Sequence, residues 1–212
     1  MKNLGHDRKA GDAALQWILN TYAPVTFPSG CILMADDMAV PEGSDAIKRI
    51  DDPTGTVIVP SLRQLVSLQG YDETRFELRK HETGKPYGII DGNMVGVSIS
   101  HCRSLLTWAL YTAGEVGIDV EPDTRKVHPR LHDRICHPEE RAVLPDDLCC
   151  IRMWTIKEAA LKYLGTGLRL AMNSIRLEMT GEHYFLAHMG KGTVVVISFR
   201  FHDHWIALAT EA

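Results

Sequence analysis

Two acidic residues stand two positions apart in a segment whose pattern predicts a β-strand. Asp119 and Glu121 belong to the run Gly117-Ile118-Asp119-Val120-Glu121. Side chains two apart on a strand point to the same face, about 6.5–7 Å apart along the chain. Two like charges held side by side cost free energy unless a cation lies between them. The pair is therefore either a solvated strand end just before Pro122 or part of a cation-binding site.

A third carboxylate lies in a segment with helical periodicity, residues 148–164. At about 100° per residue, its apolar stripe also contains Glu158 and, one turn on, Lys162. The two side chains could form an ordinary surface pair, worth only about 0.2–0.5 kcal/mol. Alternatively, Glu158 joins Asp119 and Glu121 in an all-oxygen site. Such a site suits Mg²⁺, which keeps several waters and usually shares its coordination sphere with substrate phosphates.

A serine and a histidine lie at the end of another predicted strand. Ser100 is the last residue of that strand, and His101 follows it. Both side chains can donate a hydrogen bond to a phosphate oxygen. A serine–histidine pair by itself is also typical of a turn, so the pair alone leaves both interpretations open.

Other metal-ligating residue types occur between residues 128 and 149. Pro129 indicates that the histidine before it precedes the helix predicted there, and the spacing of the group matches no common zinc pattern. The sequence therefore disfavours a zinc site. The group comprises His128, His132, Cys136, His137 and Cys149.

The first half of the chain mixes helical and strand patterns. Residues 11–22 have a start signal in Asp12 and an apolar stripe, which predict a helix, and a second helix is predicted over 61–69, capped by Ser61. Residues 36–56 carry many Asp, Pro and Gly residues and are predicted to be loop or weak helix. Strands are predicted at 31–35, 75–80, 95–100, 105–111 and 116–121.

The second half reads as two helices followed by four strands. Helices are predicted over 130–144 and 148–164, the second ending at Gly165 in the left-handed conformation. Short turns rich in glycine, aspartate and histidine separate the strands. Helices grouped between antiparallel strands favour an α+β fold over a doubly wound sheet. The four strands are predicted at 175–179, 184–188, 193–199 and 205–210.

The composition is that of an ordinary globular protein. The chain has 212 residues, 45% hydrophobic and 24% charged, and can bury a sizeable core. Its net charge of −4 argues against a general nucleic-acid binder or a surface held on anionic lipid. The N-terminal charges are followed by no apolar run, and the longest apolar stretches are too short to span a bilayer. Five cysteines without a C-x-x-C pair fit reduced thiols. We therefore expect a cytoplasmic protein without nucleic-acid or membrane partners.

Three of these segments, taken in order, resemble the signatures of one enzyme family. They are Val97-Ser98-Ile99-Ser100-His101, then Val116-Gly117-Ile118-Asp119-Val120-Glu121, then Trp154-Thr155-Ile156-Lys157-Glu158-Ala159-Ala160-Leu161-Lys162. The corresponding patterns, S-H, G-I-D-x-E and W-[ST]-x-K-E-[AS]-x-x-K, belong to 4′-phosphopantetheinyl transferases of the surfactin-synthetase-activating type. Two flanking runs are also similar to that family, Gly84-Lys85-Pro86 and Gly165-Thr166-Gly167-Leu168. The resemblance covers roughly residues 61–175.

The resemblance implies an α+β fold of two similar lobes related by a pseudo-twofold axis. Each lobe would consist of antiparallel sheet plus helices, with the active site in the cleft between them. We place the N-terminal lobe at 1–112, where it would donate Ser100 and His101. The C-terminal lobe, 113–212, would carry the metal-binding carboxylates. We expect the protein to be a monomer.

The reaction implied by the resemblance is transfer of the 4′-phosphopantetheine arm of coenzyme A (CoA) to a serine of an apo acyl or peptidyl carrier protein. The transfer releases 3′,5′-ADP and serves fatty acid, polyketide or nonribosomal peptide biosynthesis. The carboxylates of Asp119, Glu121 and Glu158 would hold Mg²⁺ or Mn²⁺. Glu158 would also be the general base, directly or through a water, and Lys162 would reach the same phosphate. The implied CoA contacts are Lys85, Ser100, His101, Lys48 and Arg49, with His101 directed at the 3′-phosphate.

The first half of the chain departs from the family pattern. Basic residues that hold the 3′-phosphate are sparse there, and Lys48 and Arg49 are the candidates. Ser98 stands where an asparagine often precedes the serine–histidine pair. Two other functions therefore stay open: a non-catalytic relative that binds CoA or a carrier protein, and another Mg²⁺-dependent enzyme acting on a pyrophosphate-bearing nucleotide. The intact Glu158 and Lys162 favour an enzyme, because binding alone requires no base one helical turn from a lysine.

Overall fold

Two antiparallel β-sheets form the framework on which the helices pack. The computed structural model describes residues 16–37, 58–126, 128, 130–140, 148–190 and 192–212. Sheet A contains the strands of the first half, in the spatial order β1-β2-β6-β5-β4-β3, each antiparallel to its neighbour. These strands are β1 (Gln16–Ile18), β2 (Cys31–Asp37), β3 (Phe76–Lys80), β4 (Pro86–Ile90), β5 (Asn93–His101) and β6 (Leu105–Tyr111).

Sheet B contains the strands of the second half. Its spatial order is β7-β11-β10-β9-β8, so the strand that bears the two spaced carboxylates pairs with the last strand of the chain. Because β6 and β7 are consecutive in the chain but belong to different sheets, the chain changes sheets between residues 111 and 117. The strands are β7 (Gly117–Pro122), β8 (Arg176–Met179), β9 (Tyr184–Met189), β10 (Gly192–Phe201) and β11 (His204–Glu211).

The helices cover one face of each sheet. Leu62, Leu65 and Val66 form the buried side of α2 and pack on sheet A, where they share a core with strand residues such as Trp108. The long helix α4 packs on sheet B and meets β7 and β11 most closely. In the part of the chain that the structure describes, no helix is long and apolar enough to cross a membrane. The helices are α1 (Leu19–Tyr22), α2 (Ile58–Leu68), α3 (Arg130–Ile135) and α4 (Cys150–Leu164).

Side-chain and glycine caps fix the ends of α4. The Cys149 thiol accepts a hydrogen bond from the backbone N–H of Arg152, as N-cap side chains do. At the other end, Gly165 takes the left-handed conformation with φ of 66°, and its N–H donates to Lys162 O. Glycine suits this position because it has no Cβ to clash there. The predicted left-handed cap at Gly165 is confirmed.

A hydrophobic core shared by both sheets joins them. Leu33 and Ala109 of sheet A pack in one cluster with Ile118, Phe199 and Leu208 of sheet B. Burial of apolar surface is the main favourable term in folding, so this shared cluster makes the two sheets stabilise one another. A second cluster lies between sheet B and α4, and a third lies between sheet A and α2.

Two glycines allow close approaches at the join between the sheets. A Cβ added to Gly117 would lie inside van der Waals contact with the backbone of Ala159 and Tyr163 in α4. A Cβ at Gly96 in β5 would likewise collide with Gly114 O, just before β7. Glycine inside a strand often marks such a close backbone approach. The glycine that begins the G-I-D-x-E run is thus required by the packing of β7 against α4.

The α+β fold and the strands predicted at 31–35, 75–80, 95–100, 105–111, 116–121 and over 175–210 are confirmed, with ends that differ by a few residues. The helix predicted over 11–22 is wrong at residues 16–18, which pair with β2 as a strand, and only the single helical turn Leu19–Tyr22 follows. The second helix begins at Ile58, so Ser61 lies inside it and does not cap it. The helix predicted over 130–144 ends at Ile135. Residues 141–147 and most of the loop predicted over 36–56 lie outside the described residues, although Asp36 and Asp37 belong to β2.

Candidate active site

Strand β5 of sheet A crosses close to β7 of sheet B, and side chains join the two. The Ser98 hydroxyl oxygen accepts a hydrogen bond of 2.9 Å from the backbone N–H of Ile118. Because successive side chains of a strand alternate between faces, Ser100 lies on the same face of β5 as Ser98. This contact therefore brings Ser100 toward the carboxylate of Asp119.

Residues from all three sequence motifs meet in one hydrogen-bonded cluster. The Ser100 hydroxyl donates to Asp119 Oδ1 at 2.8 Å. The ammonium of Lys162, on α4, donates to Ser100 Oγ at 2.7 Å and to Asp119 Oδ1 at 2.8 Å. Hydrogen bonds with a charged partner are stronger than neutral ones. The cluster therefore fixes β5, β7 and α4 relative to one another at the site.

The second oxygen of Asp119 is a buried acceptor. The residue is only 6% exposed, and within the described residues its Oδ2 has no hydrogen-bond partner. Buried polar atoms nearly always have a partner, so an orphaned carboxylate oxygen indicates a missing donor or cation. This atom fits the metal ligand that the sequence predicts at Asp119.

The carboxyl of Glu158 lies half-buried on α4, near the two carboxylates of β7. Burial above all, together with the charges of Asp119 and Glu121, raises the pKa of Glu158 to about 7, while the charge of Lys162 opposes the rise. A carboxyl with a pKa near neutrality can act as a general base at working pH. Perturbed pKa values of this kind are concentrated at functional sites.

Glu121 is held by a cation of its own. Burial raises the pKa of the Glu121 carboxyl, as does the charge of Asp119, while a hydrogen bond from Arg125 lowers it. The Arg125 guanidinium contacts Glu121 Oε1 and lies over the ring of Trp154, 5.6 Å from its centroid. The two carboxylates of β7 therefore each have an internal cationic partner.

The donor set fits Mg²⁺ by its chemistry, although the ligands are not gathered. Three carboxylates, one of which has an orphaned oxygen, supply the hard oxygen donors that Mg²⁺ prefers. Across the described residues, however, no three His, Cys, Asp or Glu side chains are placed together closely enough to hold a metal ion. In this arrangement Asp119 faces Lys162 and Glu121 faces Arg125. The metal ligation predicted for Asp119, Glu121 and Glu158 stays a prediction.

Lys85 lies in a pocket beside the end of α4. Its ammonium donates to the Glu115 carboxylate and to Tyr163 O, and it lies 5.5 Å from the centroid of the Tyr163 ring. The pocket has a volume of about 370 Å³. Lys85 thus joins the β3–β4 turn to the C-terminus of α4, and its predicted contact with CoA stays a prediction. The pocket is lined by His81, Thr83, Lys85, Glu115, Tyr163, Leu164 and Gly165.

The remaining predicted CoA contacts lie in different parts of the chain. His101 is the exposed last residue of β5, directly after the buried Ser100. The turn that follows is fastened to sheet B, because Ser104 Oγ and His204 Nε2 lie 2.7 Å apart. Lys48 and Arg49 lie outside the described residues.

A buried ion pair beside the site was missed by the sequence analysis. Lys157 and Glu140 are both fully buried, and their charged atoms lie 2.8 Å apart. The Lys157 ammonium also donates to three backbone carbonyls, while Glu140 accepts from the N–H groups of His137 and Leu177. The sequence does contain a sign of this pair, because Lys157 shares a helix face with Ala160 and Leu161. A lysine in an apolar stripe needs a buried partner, so a buried ion pair could have been predicted.

Comparison with known protein families gives a match over the second half of the chain, which carries most of the site. Residues 115–209 match the model of the 4′-phosphopantetheinyl transferase superfamily (ACPS). The match covers a little under half of the chain and includes β7 and α4, hence all three carboxylates and Lys162. It does not include Lys85, Ser100 or His101. A search among curated proteins found no match.

Proposed function

We propose that the protein transfers the 4′-phosphopantetheine arm of CoA to a serine of an apo acyl or peptidyl carrier protein. The proposed enzyme is of the surfactin-synthetase-activating type. The hydroxyl oxygen of the carrier serine attacks the β-phosphorus of CoA. The bond from that phosphorus to the bridging oxygen breaks, so 3′,5′-ADP leaves and the serine proton passes to a base.

One observation carries this proposal. The three sequence motifs lie 19 and 43 residues apart in the chain, yet Ser100, Asp119 and Lys162 form a single hydrogen-bonded cluster. The segment that matches the transferase superfamily contributes two of these three side chains. A chance resemblance of short motifs would not require them to converge in space.

The carboxylates of Asp119, Glu121 and Glu158 are proposed to hold Mg²⁺ or Mn²⁺. When bound, the metal offsets charge that develops on the pyrophosphate. Phosphoryl-type transfer depends chiefly on positioning and electrostatic stabilisation, so the residues around the metal have mainly those tasks.

The protein groups have separate proposed roles. Glu158 takes the serine proton, directly or through a water, and its raised pKa supports this role. Lys162, now shared between Ser100 and Asp119, would place its positive charge on the same phosphate. The CoA contacts proposed are Lys48, Arg49, Lys85, Ser100 and His101.

The two-lobe organisation is part of the proposal. The N-terminal lobe would comprise residues 1–112 and the C-terminal lobe 113–212, because the chain passes from sheet A to sheet B after Tyr111. All five cysteines are free thiols, which suits a reducing compartment, and we propose that the protein works in the cytoplasm as a monomer.

A mass-spectrometric transfer assay tests the function. The purified protein is incubated with CoA, Mg²⁺ and a panel of apo carrier proteins. We expect a carrier to gain the mass of phosphopantetheine, and 3′,5′-ADP to appear in equal amount. Excess EDTA should abolish the transfer, and added Mg²⁺ should restore it. Transfer that continues in excess EDTA would exclude the metal site.

A non-catalytic relative that binds CoA is the second candidate, and one observation favours it. Two of the three proposed metal ligands are already paired with basic side chains, Asp119 with Lys162 and Glu121 with Arg125. The transfer assay, combined with a separate measurement of CoA binding, distinguishes the two functions. A protein that binds CoA but modifies no carrier would be a binding relative. Hydrolysis of a pyrophosphate-bearing nucleotide without carrier modification would indicate a different Mg²⁺-dependent enzyme.

A further inference from the structure

A short turn after β7 carries the cation that engages Glu121. The N–H of Arg125 donates to Pro122 O at 3.1 Å, which folds the chain back toward the strand it has just left. On its other side the turn is fastened to sheet B, because Asp123 N donates to Asp203 O and the Asp123 carboxylate accepts from Arg200. Asp123 thus has a separate cationic partner, and Arg125 engages Glu121.

The position of Arg125 is defined by more than charge. The Glu121 side chain is 14% exposed, so its ion pair is less screened by water than a surface pair. The guanidinium also lies over the ring of Trp154, on the helix that carries Glu158. Such cation–π contacts contribute free energy of their own. An aromatic face and a half-buried carboxylate therefore hold this arginine in place.

We propose that Arg125 is a positioning residue whose guanidinium holds the Glu121 carboxylate until a divalent cation replaces it there. The inference rests on the proposed function and extends it. In the described residues no three carboxylates are gathered to hold a metal, and Glu121 is turned to Arg125. A guanidinium stays charged at every working pH, so it competes with the metal throughout. Binding of the metal then replaces the singly charged guanidinium with a divalent cation, and Arg125 leaves both Glu121 and the Trp154 ring.

A titration with Mn²⁺ in the absence of CoA tests this exchange. Free Mn²⁺ is measured by its electron paramagnetic resonance signal for the wild type and for Arg125→Gln. The variant lacks the competing charge, so we expect it to bind Mn²⁺ roughly 2–5-fold more tightly, about the effect of losing one partly screened ion pair. Unchanged or weaker binding by Arg125→Gln would overturn the proposal.

Arg200 provides the matched control. It pairs with Asp123 in the same turn and is 55% exposed, against 43% for Arg125, but it does not touch Glu121. Arg200→Gln should bind Mn²⁺ within twofold of the wild type. An equal gain in both variants would show a general effect of net charge and would overturn the specific role of Arg125.

Fluorescence of Trp154 gives an independent readout. Mn²⁺ itself quenches fluorescence, so Mg²⁺ is used as the titrant. We expect Mg²⁺ to change the tryptophan emission of the wild type, and the change to be lost in Arg125→Gln and in Trp154→Phe. An emission change that persists in both variants would overturn the release of Arg125. A wild type that binds no Mn²⁺ yet transfers phosphopantetheine would remove the metal site and this proposal together, while leaving the reaction itself intact.

Discussion

Glu158 combines two properties at the scale of a single residue, since it is half-buried and lies near two other carboxylates. Its folded-state pKa of about 7 lies above the usual value of about 4.3. The folded protein therefore binds this proton more tightly than the unfolded chain does. In the metal-free protein, this tighter proton binding stabilises the fold fully below about pH 4.3, and the stabilisation is lost as the pH rises through about 7.

Glu158→Gln should therefore change stability and activity in opposite directions. At pH 8 without metal, the free energy of unfolding should rise by roughly 1 kcal/mol, a figure reduced for the partial exposure of the group. At pH 4 the difference should be close to zero. The transfer rate should fall by about 10²–10⁴-fold, as is typical for loss of a general base. Urea denaturation and the carrier-protein assay measure the two effects.

The control variant Glu182→Gln removes an exposed carboxylate that lies beside His183 and outside the cluster, and it should affect neither quantity. If Glu158→Gln transfers phosphopantetheine within a few-fold of the wild type, Glu158 forms no more than a surface pair with Lys162.

His101 should act in substrate binding more than in bond making. Its exposed position at the end of β5, next to the buried Ser100, suits contact with a phosphate of CoA. His101→Ala should raise the KM for CoA by about tenfold, the worth of one hydrogen bond to a charged group, with a smaller effect on kcat. Dephospho-CoA lacks the 3′-phosphate, so the KM of this variant for dephospho-CoA should be close to its KM for CoA. Equal use of the two cofactors by the wild type would contradict the 3′-phosphate contact.

At the scale of elements, the packing of β7 against α4 depends on Gly117. Gly117→Ala places a methyl group against the backbone of α4, which cannot rotate away as a side chain can. We expect a loss of about 2–3 kcal/mol in the free energy of unfolding. Transfer should also fall, because Asp119 would move relative to Lys162. The matched control is Gly114→Ala, whose added methyl meets its nearest atom at an ordinary 3.5 Å and should change stability by less than about 0.5 kcal/mol.

The buried pair Lys157–Glu140 should show strong coupling. Lys157→Met or Glu140→Gln alone leaves a buried partner unpaired and should cost about 3–5 kcal/mol. The double variant should cost much less than the sum of the two. Urea denaturation of the four proteins gives the coupling free energy. The exposed pair Arg79–Glu77 is the control, and because water screens its charges we expect little coupling there. Additive losses at the buried pair would contradict the prediction.

The elements that the sequence predicted best are those with a strong local signal. Helix α4 has an apolar stripe and ends at a glycine, and strand β9 alternates buried and half-buried residues. The helix predicted over 11–22 failed because its apolar spacing was compatible with helix, while pairing of residues 16–18 with β2 depends on a distant segment. Local pattern cannot report such pairing.

The site was predictable in part for the same reason. The positions of Asp119 and Glu121 on one strand, and of Glu158 and Lys162 one helical turn apart, follow from periodicity. Their internal cations do not, because the contacts of Lys162 with Ser100 and of Arg125 with Glu121 arise only when separate elements meet. The role of Ser98 in joining β5 to β7 was hidden as well, since the residue differs from the asparagine that the resemblance suggested.

At the scale of the whole molecule, the two sheets depend on each other. Alternation along a strand indicates which residues are buried but not against which partner, so the shared core of sheets A and B could not be predicted. Leu33 and Leu208 belong to the same cluster although they come from opposite ends of the chain. Cooperative unfolding of both sheets in one transition is the expected consequence.

The Ile118 amide donates a hydrogen bond to the Ser98 hydroxyl, across the contact between the two sheets. The hydrogen-exchange rate of this amide therefore reports how often that contact opens. Amides bonded within sheet B exchange with solvent deuterium when that sheet opens, whereas this amide exchanges when β5 moves away from β7. Ser98→Ala should speed its exchange by roughly 10-fold or more and leave the amide of Val196, in the middle of sheet B, nearly unchanged. Exchange of both amides in step in the wild type would show that the join never opens alone. The proposed site residues lie on both sides of this contact, so the hydrogen-exchange rate of the Ile118 amide would also measure how often the site opens.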